Sequence, residues 1–346
     1  MASVSVFIPC YKYGHFLRQS VESVLEQTGV DVRVIILDDA SPDDTPQVAG
    51  ELVEQDRRVE YRRHTTNQGH IATYNEGIAW ASGDYTLLLS ADDLLTPGAL
   101  ARAARVMDDH PEVGMVYGRG LEFESDGPAP EPQATSDPAV WKIHTGAEVL
   151  ESFCAAGYNL VCTPTAVVRT CLQKRLGGYL KELPHTGDME MWMRFAAHAD
   201  IAVLDGEQAC YRRHASSMST DWYKSPVAEL MQRKAAFDSI FNDYSVRIND
   251  ADRLRTSADR TLASATVWEA RRAFDAGNLS CCRELLVYAL EIDAELRDYT
   301  EWSRIAWKLR LGPKACAGLQ PVIKLARKVR AIRFSQPGHH ITPLTN

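Results

Sequence analysis

"YTLLLSADDLLTPGAL", Tyr85 to Leu100, holds the pattern from which the fold can be read. Tyr85 to Ser90 reads as a strand with a continuous apolar middle, as expected where both faces are covered. Two adjacent carboxylates, Asp92 and Asp93, follow at once. Thr96 and Pro97 read as the N-cap and first-turn pair of a helix over Gly98 to Asp109, so the carboxylates sit in a strand-to-helix loop. Like charges at the tip of a buried strand repel more strongly as the dielectric falls, and a positive partner is expected beside them.

The same alternation runs outward in both directions. "VSVFIP" (Val4 to Pro9) reads as a strand and Phe16 to Gln27 as a helix; "VRVIILDD" (Val32 to Asp39) is a strand and Asp44 to Gln55 a helix. "VEYRRH" (Val59 to His64) and Ile71 to Ala81 repeat the unit. Strands joined by helical crossovers predict an α/β class with a right-handed, mostly parallel, Rossmann-like sheet flanked by helices. Ligands bind such sheets at the carboxyl ends of the strands, where Pro9, Tyr11, Asp38, Asp39, Asp92 and Asp93 fall.

Beyond Asp109 the alternation weakens. Glu124 to Pro138 is rich in Pro, Ser and Asp and reads as a surface excursion. A helix near Ala147 to Ala155, a strand near Ala166 to Val168, a helix from Asp188 to Ala199 and a strand ending at His214 follow. From about Ser225 the pattern is helical, and Val267 to Asp293 reads as a helical hairpin turning at Gly277 and Asn278. The expected division is therefore 1–224, α/β, and 225–346, an all-α C-terminal region with a basic tail.

Composition narrows the class. With 45% hydrophobic and 24% charged residues, the 346-residue chain is of ordinary globular type. The N-terminus has no basic region ahead of a long apolar run, and no apolar stretch is long enough to span a bilayer, so a cytoplasmic location is expected. Eight cysteines occur without a CxxC pair or zinc spacing, which reads as reduced, buried thiols. No acidic residue follows Glu301, whereas nine of the 38 basic residues do. "PVIKLARKVRAIRF" (Pro321 to Phe334) sets Val322, Leu325, Ala326, Val329 and Ile332 along one helical side opposite Lys324, Arg327 and Lys328. Such a helix suits peripheral contact with an anionic inner membrane face, packing on the second domain, or packing on another subunit as in a homodimer. No motif points to nucleic acid.

Two "DD" pairs at successive strand ends suit a hard divalent cation, Mn²⁺ or Mg²⁺, whose remaining ligands would be phosphate oxygens. Each carboxylate taken singly also reads as a helix N-terminal anion, so both readings stand at this point. Neither GxxxxGK[ST] nor GxGxxG follows the first strand, which removes the usual nucleotide-hydrolase and dinucleotide anchors. Tyr11 instead offers a ring for a planar base, and Asp39 an acceptor for a base N–H.

Taken in order and spacing, "VSVFIPCYKYGHFLRQSVESVLEQT", "VIILDDASPDDT", "NQGHIATYNEGIAWASGDYTLLLSADDLLTPGAL" and "HTGDMEMWMRFA" resemble the inverting family 2 glycosyltransferases of GT-A fold, over about Val4 to Ser219. The resemblance implies a nucleotide site at Pro9, Tyr11, Asp39, Asn67, Gly69, Asn75, Gly77, Ser90 and Ala91. It places Asp92 on the metal-binding aspartate of the DXD signature, with Ser90 where that signature usually begins with Asp and Asp93 as a weaker ligand. It makes Asp188 the catalytic base, with Gly187 where an acidic neighbour is usual, Glu190 and Trp192 at the acceptor or behind the base, and His214 a metal or pyrophosphate contact.

The function so implied is metal-assisted, inverting transfer of a sugar, hexosyl or N-acetylhexosaminyl, from a uridine diphosphate donor to a glycan, glycolipid or other glycoconjugate hydroxyl, as in polysaccharide biosynthesis. Acceptor choice is expected of Gly157 to Pro164, Leu183 to Gly187 and the helical appendage. A sugar nucleotidyltransferase would need a Gly-rich basic loop after the first strand, which "PCYKYGHF" is not. A non-catalytic sugar-nucleotide-binding module would account for Ser90 and Gly187, but it leaves Asp92, Asp188 and His214 without a purpose.

Overall fold

The computed structural model describes residues 1–124, 130, 140–215, 217, 225–312 and 315. Four parallel strands form one half of the sheet: β1 (Ser3–Cys10), β2 (Asp31–Asp38), β3 (Val59–Arg63) and β4 (Tyr85–Leu88), in the order β3-β2-β1-β4. Helices α1 (Gly14–Leu25), α2 (Thr45–Gln55) and α3 (His70–Trp80) make the crossovers. Alternate strand residues serve two layers. Val4, Val6, Ile8, Val32, Val34 and Ile36 pack with Leu17, Val21, Leu52 and the helix α4 (Ala99–Asp109), while Phe7 meets Gly77 of α3 from the other side. A Cβ at Gly77 would overlap the Phe7 ring, so this glycine serves helix–sheet packing rather than the ligand edge expected of it.

The other half of the sheet is mixed. β5 (Leu94–Leu95), β6 (Val113–Glu124), β7 (Trp141–His144), β8 (Val167–Arg169) and β9 (Asp200–Arg213) extend the order to β4-β8-β6-β9-β5, with β7 also on β9. β8 runs antiparallel to β4 and β6, whereas β6 and β9 pair in parallel through register shifts near Tyr117 and Arg119. That long pair carries Arg212 and His214 back to the loop after β4. β6 and β7 were not read from the sequence, because β6 changes from a buried half to an exposed half and loses a single period. The segment read as a surface excursion lies, apart from Glu124 and Pro130, outside the described residues, as does the basic helix expected at Pro321 to Phe334.

Thr96 does not cap α4. Its backbone N–H pairs with Gln208 O at 3.1 Å, its hydroxyl donates to Glu207 O at 2.6 Å, and the N-cap of α4 is Gly98, at φ 73°. Pairing with β9 outcompetes the local cap. By contrast α5 (Gly146–Ala156) opens with a capping box between Thr145 and Glu148, and α6 (Thr170–Leu176) and α7 (Gly187–Ala196) complete the layer that bears Asp188.

The chain divides into two compact units: Met1–Ser225 with Met231–Ala258, and Pro226–Leu230 with the residues from Asp259 on. α8 (Pro226–Asp243) and α9 (Ala251–Asp275) run through the division. In the second unit, α9, α10 (Leu279–Ile292) and α11 (Thr300–Leu311) bury Val267, Phe274, Leu285, Leu296 and Ile305 around a core of their own. The hairpin turns at Gly277, φ 80°, and Asn278 caps α10 by accepting the Cys281 N–H at 3.1 Å. No helix among the described residues is long and apolar enough to cross a membrane.

Candidate active site

The carboxyl ends of β1, β2 and β4 adjoin, since β1 pairs with both β2 and β4. Tyr11, 40% exposed, follows β1. Lys12 lies behind it at φ 65°, its N–H donating to Ser41 Oγ at 3.0 Å and its ammonium 4.9 Å from the Tyr11 ring centroid. Pro9 is within β1, opposite Leu37.

Asp38 and Asp39 part company. Asp38 is fully buried and accepts from Ser41 N at 2.7 Å and Tyr61 Oη at 2.8 Å, with Arg63 Nε at 3.1 Å, so it is a structural anion. Asp39 turns to the loop before α3. Its Oδ1 accepts from Gln68 N at 2.7 Å and its Oδ2 from Gly69 N at 2.8 Å, while its carbonyl accepts from Asn67 Nδ2 at 3.2 Å. Gly69 at φ 85° lets the loop aim two successive N–H groups at one carboxylate. Asn75 stands one helical turn beyond that loop. Both ends of its amide bind the Tyr179 backbone, at 2.7 and 3.0 Å, and a Cβ at Gly178 would collide with it, so Asn75 holds α3 to the Gly177–Tyr179 segment.

After β4 the chain turns tightly, Asp93 N donating to Ser90 O at 3.0 Å; Ser20 Oγ donates to the same carbonyl at 3.3 Å, and Ala91 is buried. Asp92 Oδ2 stands 2.9 Å from His214 Nε2, and Asp93 Oδ1 accepts from Arg212 N at 3.0 Å. The positive partner expected of this pair is Arg212. Its guanidinium lies between the Phe16 and Phe123 rings, 4.4 and 4.5 Å from their centroids, and donates to Asp92 O and to Gln19 Oε1, each at 2.9 Å. Burial and the neighbouring Asp92 charge push the Asp93 carboxyl well above the ordinary carboxylate range. Rings of Tyr13 and Phe16, at 5.2 and 5.5 Å, fix the plane of His214.

Asp188 opens α7. Asn159 Nδ2 at 2.9 Å and Thr163 Oγ1 at 2.8 Å both donate to its Oδ2, and the Met189 N–H lies 2.7 Å from its Oδ1. Burial raises its pKa, and those donors hold the rise in check. Tyr74 feels the charges of Asp188, Asp92 and Asp93 together, and the thiol of Cys162 those of Asp93 and Asp188. The short segment Thr163–Thr165, whose Thr163 binds Asp188, packs against β4 and β5 on either side of the Asp92–Asp93 turn, so the two acidic centres are neighbours.

Glu190 and Trp192 are both buried on α7. Glu190 is fully buried and paired bidentately with Arg194, whose Nη1 also donates to Leu176 O and Gly178 O, each at 3.0 Å. Trp192 is buried on the same helix. Arg194, held by Glu190, steadies the Gly178–Tyr179 segment that Asn75 grips.

Among the described residues no group of three or more His, Cys, Asp or Glu side chains converges as a metal cage. A cation here would have Asp92 and His214, one carboxylate and one imidazole, with further oxygens supplied by a ligand. That pair fits a divalent ion which binds together with a diphosphate. Asp93 does not, being committed to Arg212 N. Sequence reading missed Arg212, although it stands two residues before His214 in the segment read as one strand.

Residues 5–166 match the sequence profile described as "Glycosyl transferase family 2". An uncharacterised protein of Mycobacterium tuberculosis is 27% identical over 235 residues, 63% of this chain and 69% of its own length. Of two further relatives described as glycosyltransferases, 34% and 31% identical, the chain spans 35% and 43%. Among solved structures, S. aureus TarS 1–349 in complex with UDP-GlcNAc matches with a TM-score of 0.62 at 20% identity, covering 85% of each chain. A mannosyltransferase from Pyrobaculum calidifontis in complex with GDP-Man and Mn²⁺ matches with 0.50 at 16% identity, covering 91% of this chain and 86% of its own. These two likenesses bear on the fold, which is the GT-A arrangement.

Proposed function

We propose, from the match of residues 5–166 to the family 2 glycosyltransferase profile, that the protein moves a sugar, with inversion, from a uridine diphosphate donor to a hydroxyl of a glycan or glycolipid. The observation that carries this reading is that Asp188 neighbours the Asp92–His214 pair, Thr163 linking it to the segment packed on β4 and β5. One carboxylate opposite a diphosphate site is the arrangement a direct displacement requires, because no second nucleophilic carboxylate takes part.

Asp188 accepts the proton of the acceptor hydroxyl as its oxygen attacks the anomeric carbon. Burial raises the proton affinity of Asp188, while Asn159 and Thr163 hold one of its oxygens and so orient the other. Tyr11 and Asp39 border the place of the base. Asp92 and His214 would hold a divalent cation, Mn²⁺ or Mg²⁺, and Arg212 pins the backbone of that turn. Such an ion, when bound, offsets the charge that develops on a departing diphosphate. The segment Gly157 to Pro164 and the loop Leu183 to Gly187 flank Asp188 and are assigned to the acceptor.

Asp188→Asn tests the reading. UDP release from a UDP-sugar in the presence of acceptor should fall by about 10³-fold while UDP binding stays within threefold of the parent, as removal of a general base predicts. Unchanged turnover would remove Asp188 as the base.

A further inference from the structure

Asp39 does not stand alone at the base edge. His64 lies against it, with Nδ1 2.7 Å from Asp39 Oδ1 and Nε2 2.8 Å from Glu76 Oε2, and the imidazole side chain is 8% exposed. Both neighbours are carboxylates and can only accept. Both contacts are hydrogen bonds only when both ring nitrogens carry protons, so the geometry is that of an imidazolium. Around it stand Asp39 at the end of β2, Glu76 on α3, and Arg62 on β3, which reaches Glu76 at 3.5 Å.

A carboxylate offers about four acceptor positions. On Asp39 three are taken: Gln68 N and His64 Nδ1 on Oδ1, Gly69 N on Oδ2. One lone pair remains, on Oδ2. Uracil presents a single imino N–H between two carbonyls and needs one acceptor. Guanine presents two adjacent N–H donors and needs two, and cytosine would turn a ring-nitrogen lone pair toward the carboxylate. Resting on the nucleotide site assigned above, we propose that His64 is a positioning residue for base recognition, which holds Asp39 with one acceptor position open and thereby selects a uracil-type diphosphate donor. Glu76 is the second half of the device, since it anchors the far nitrogen of the ring.

The pH response follows with its sign. The two carboxylates raise the pKa of His64 against the opposing effect of burial. Below that pKa the imidazolium holds Asp39; above it one nitrogen loses its proton, a lone pair faces a carboxylate, and the hold is lost.

The test is calorimetric titration of the full chain with UDP and with GDP, each with Mn²⁺, from about pH 6.5 to about pH 8.5. The parent should bind UDP more weakly as pH rises. His64→Ala should lose about tenfold in UDP affinity at the acid end, lose the pH dependence, and show a smaller preference for UDP over GDP. Glu76→Gln keeps the shape of a side chain that is 33% exposed, and it should move the midpoint down by about one pH unit. A midpoint unmoved by Glu76→Gln, or parent-like UDP affinity and preference in His64→Ala, overturns the proposal and leaves the nucleotide site intact. A parent that binds neither nucleotide overturns the site assignment itself, and the proposal with it.

Discussion

The two Asp-Asp pairs occupy equivalent places in the fold, at the ends of the strands on either side of β1, yet the protein uses them in opposite order. In the first pair the leading residue, Asp38, is the structural anion and Asp39 binds the loop before α3. In the second the trailing residue, Asp93, accepts from the Arg212 backbone and Asp92 faces His214. Asp38 is the last residue of β2, and Asp39 after it turns toward the loop before α3; Asp92 and Asp93 both lie in the turn after β4, where Asp93 binds the Arg212 N–H and Asp92 meets His214. Their compensation differs too. Asp38 has Arg63, Tyr61 and Ser41 around it, whereas Asp93 receives one backbone N–H and stands beside another carboxylate. The same dipeptide is therefore a brace in one place and part of the turn proposed to hold a cation in the other.

The comparison breaks most sharply at Asp92 and Asp93. Asp92→Asn should lower turnover by about 10³-fold and abolish any extra thermal stabilisation by Mn²⁺ in the presence of UDP, because the carboxylate is half of the proposed ligand set. Asp93→Asn should leave both within threefold, since an amide oxygen accepts the Arg212 N–H equally well. Equal losses in the two variants would erase the division. At the first pair the costly residue is the structural one: Asp38→Ala strands Tyr61 Oη and Ser41 N in the core and should cost about 3 kcal/mol in urea unfolding.

Much of this could be read before any coordinates. The parallel half of the sheet follows from strand and helix runs that each keep one period, and Asp39, Asp92, Asp188 and His214 came from motif and resemblance together. What escaped was non-local. Arg212 is one of 38 basic residues, and only the β6–β9 pairing sets it between Phe16 and Phe123. His64 looked like the last residue of a strand until Asp39 and Glu76 closed on it from two other elements. Thr96 had the chemistry of a cap, and pairing with Gln208 took it elsewhere. Local rules fail where a distant strand offers the same groups a better partner.

The third acidic residue, Asp188, sharpens the contrast by degree. Like Asp93 it is raised by burial, but side-chain donors oppose the rise. Thr163→Val keeps the shape and removes one of them, so the carboxyl should titrate higher by about one pH unit. A base works when deprotonated: activity persists above its pKa and is lost as pH falls through it. The acid limb of kcat/KM should therefore move up in Thr163→Val, and a limb that stays in place would show that Thr163 does not bear on the ionisation of Asp188.

The smallest effect concerns the residue beside each pair. Ala40, directly after Asp39, has φ 61°, a conformation that costs an L-residue roughly 1 kcal/mol, and its neighbour Ser41 donates N–H to Asp38 Oδ1 at 2.7 Å. Ala91, directly before Asp92, is not among the residues with positive φ. Glycine relieves the strain at position 40 but also enlarges the entropy of the unfolded chain, so Ala40→Gly should stabilise by only about 0.5 kcal/mol. Ala91→Gly relieves nothing and should destabilise by about 1 kcal/mol. Chemical denaturation of the two variants side by side gives opposite signs if the turn after β2 is strained and the turn after β4 is not. The same sign in both would mean that Asp38 and Ser41 impose no left-handed turn on Ala40 in solution, and that Asp39 reaches the Asn67–Gly69 loop without it.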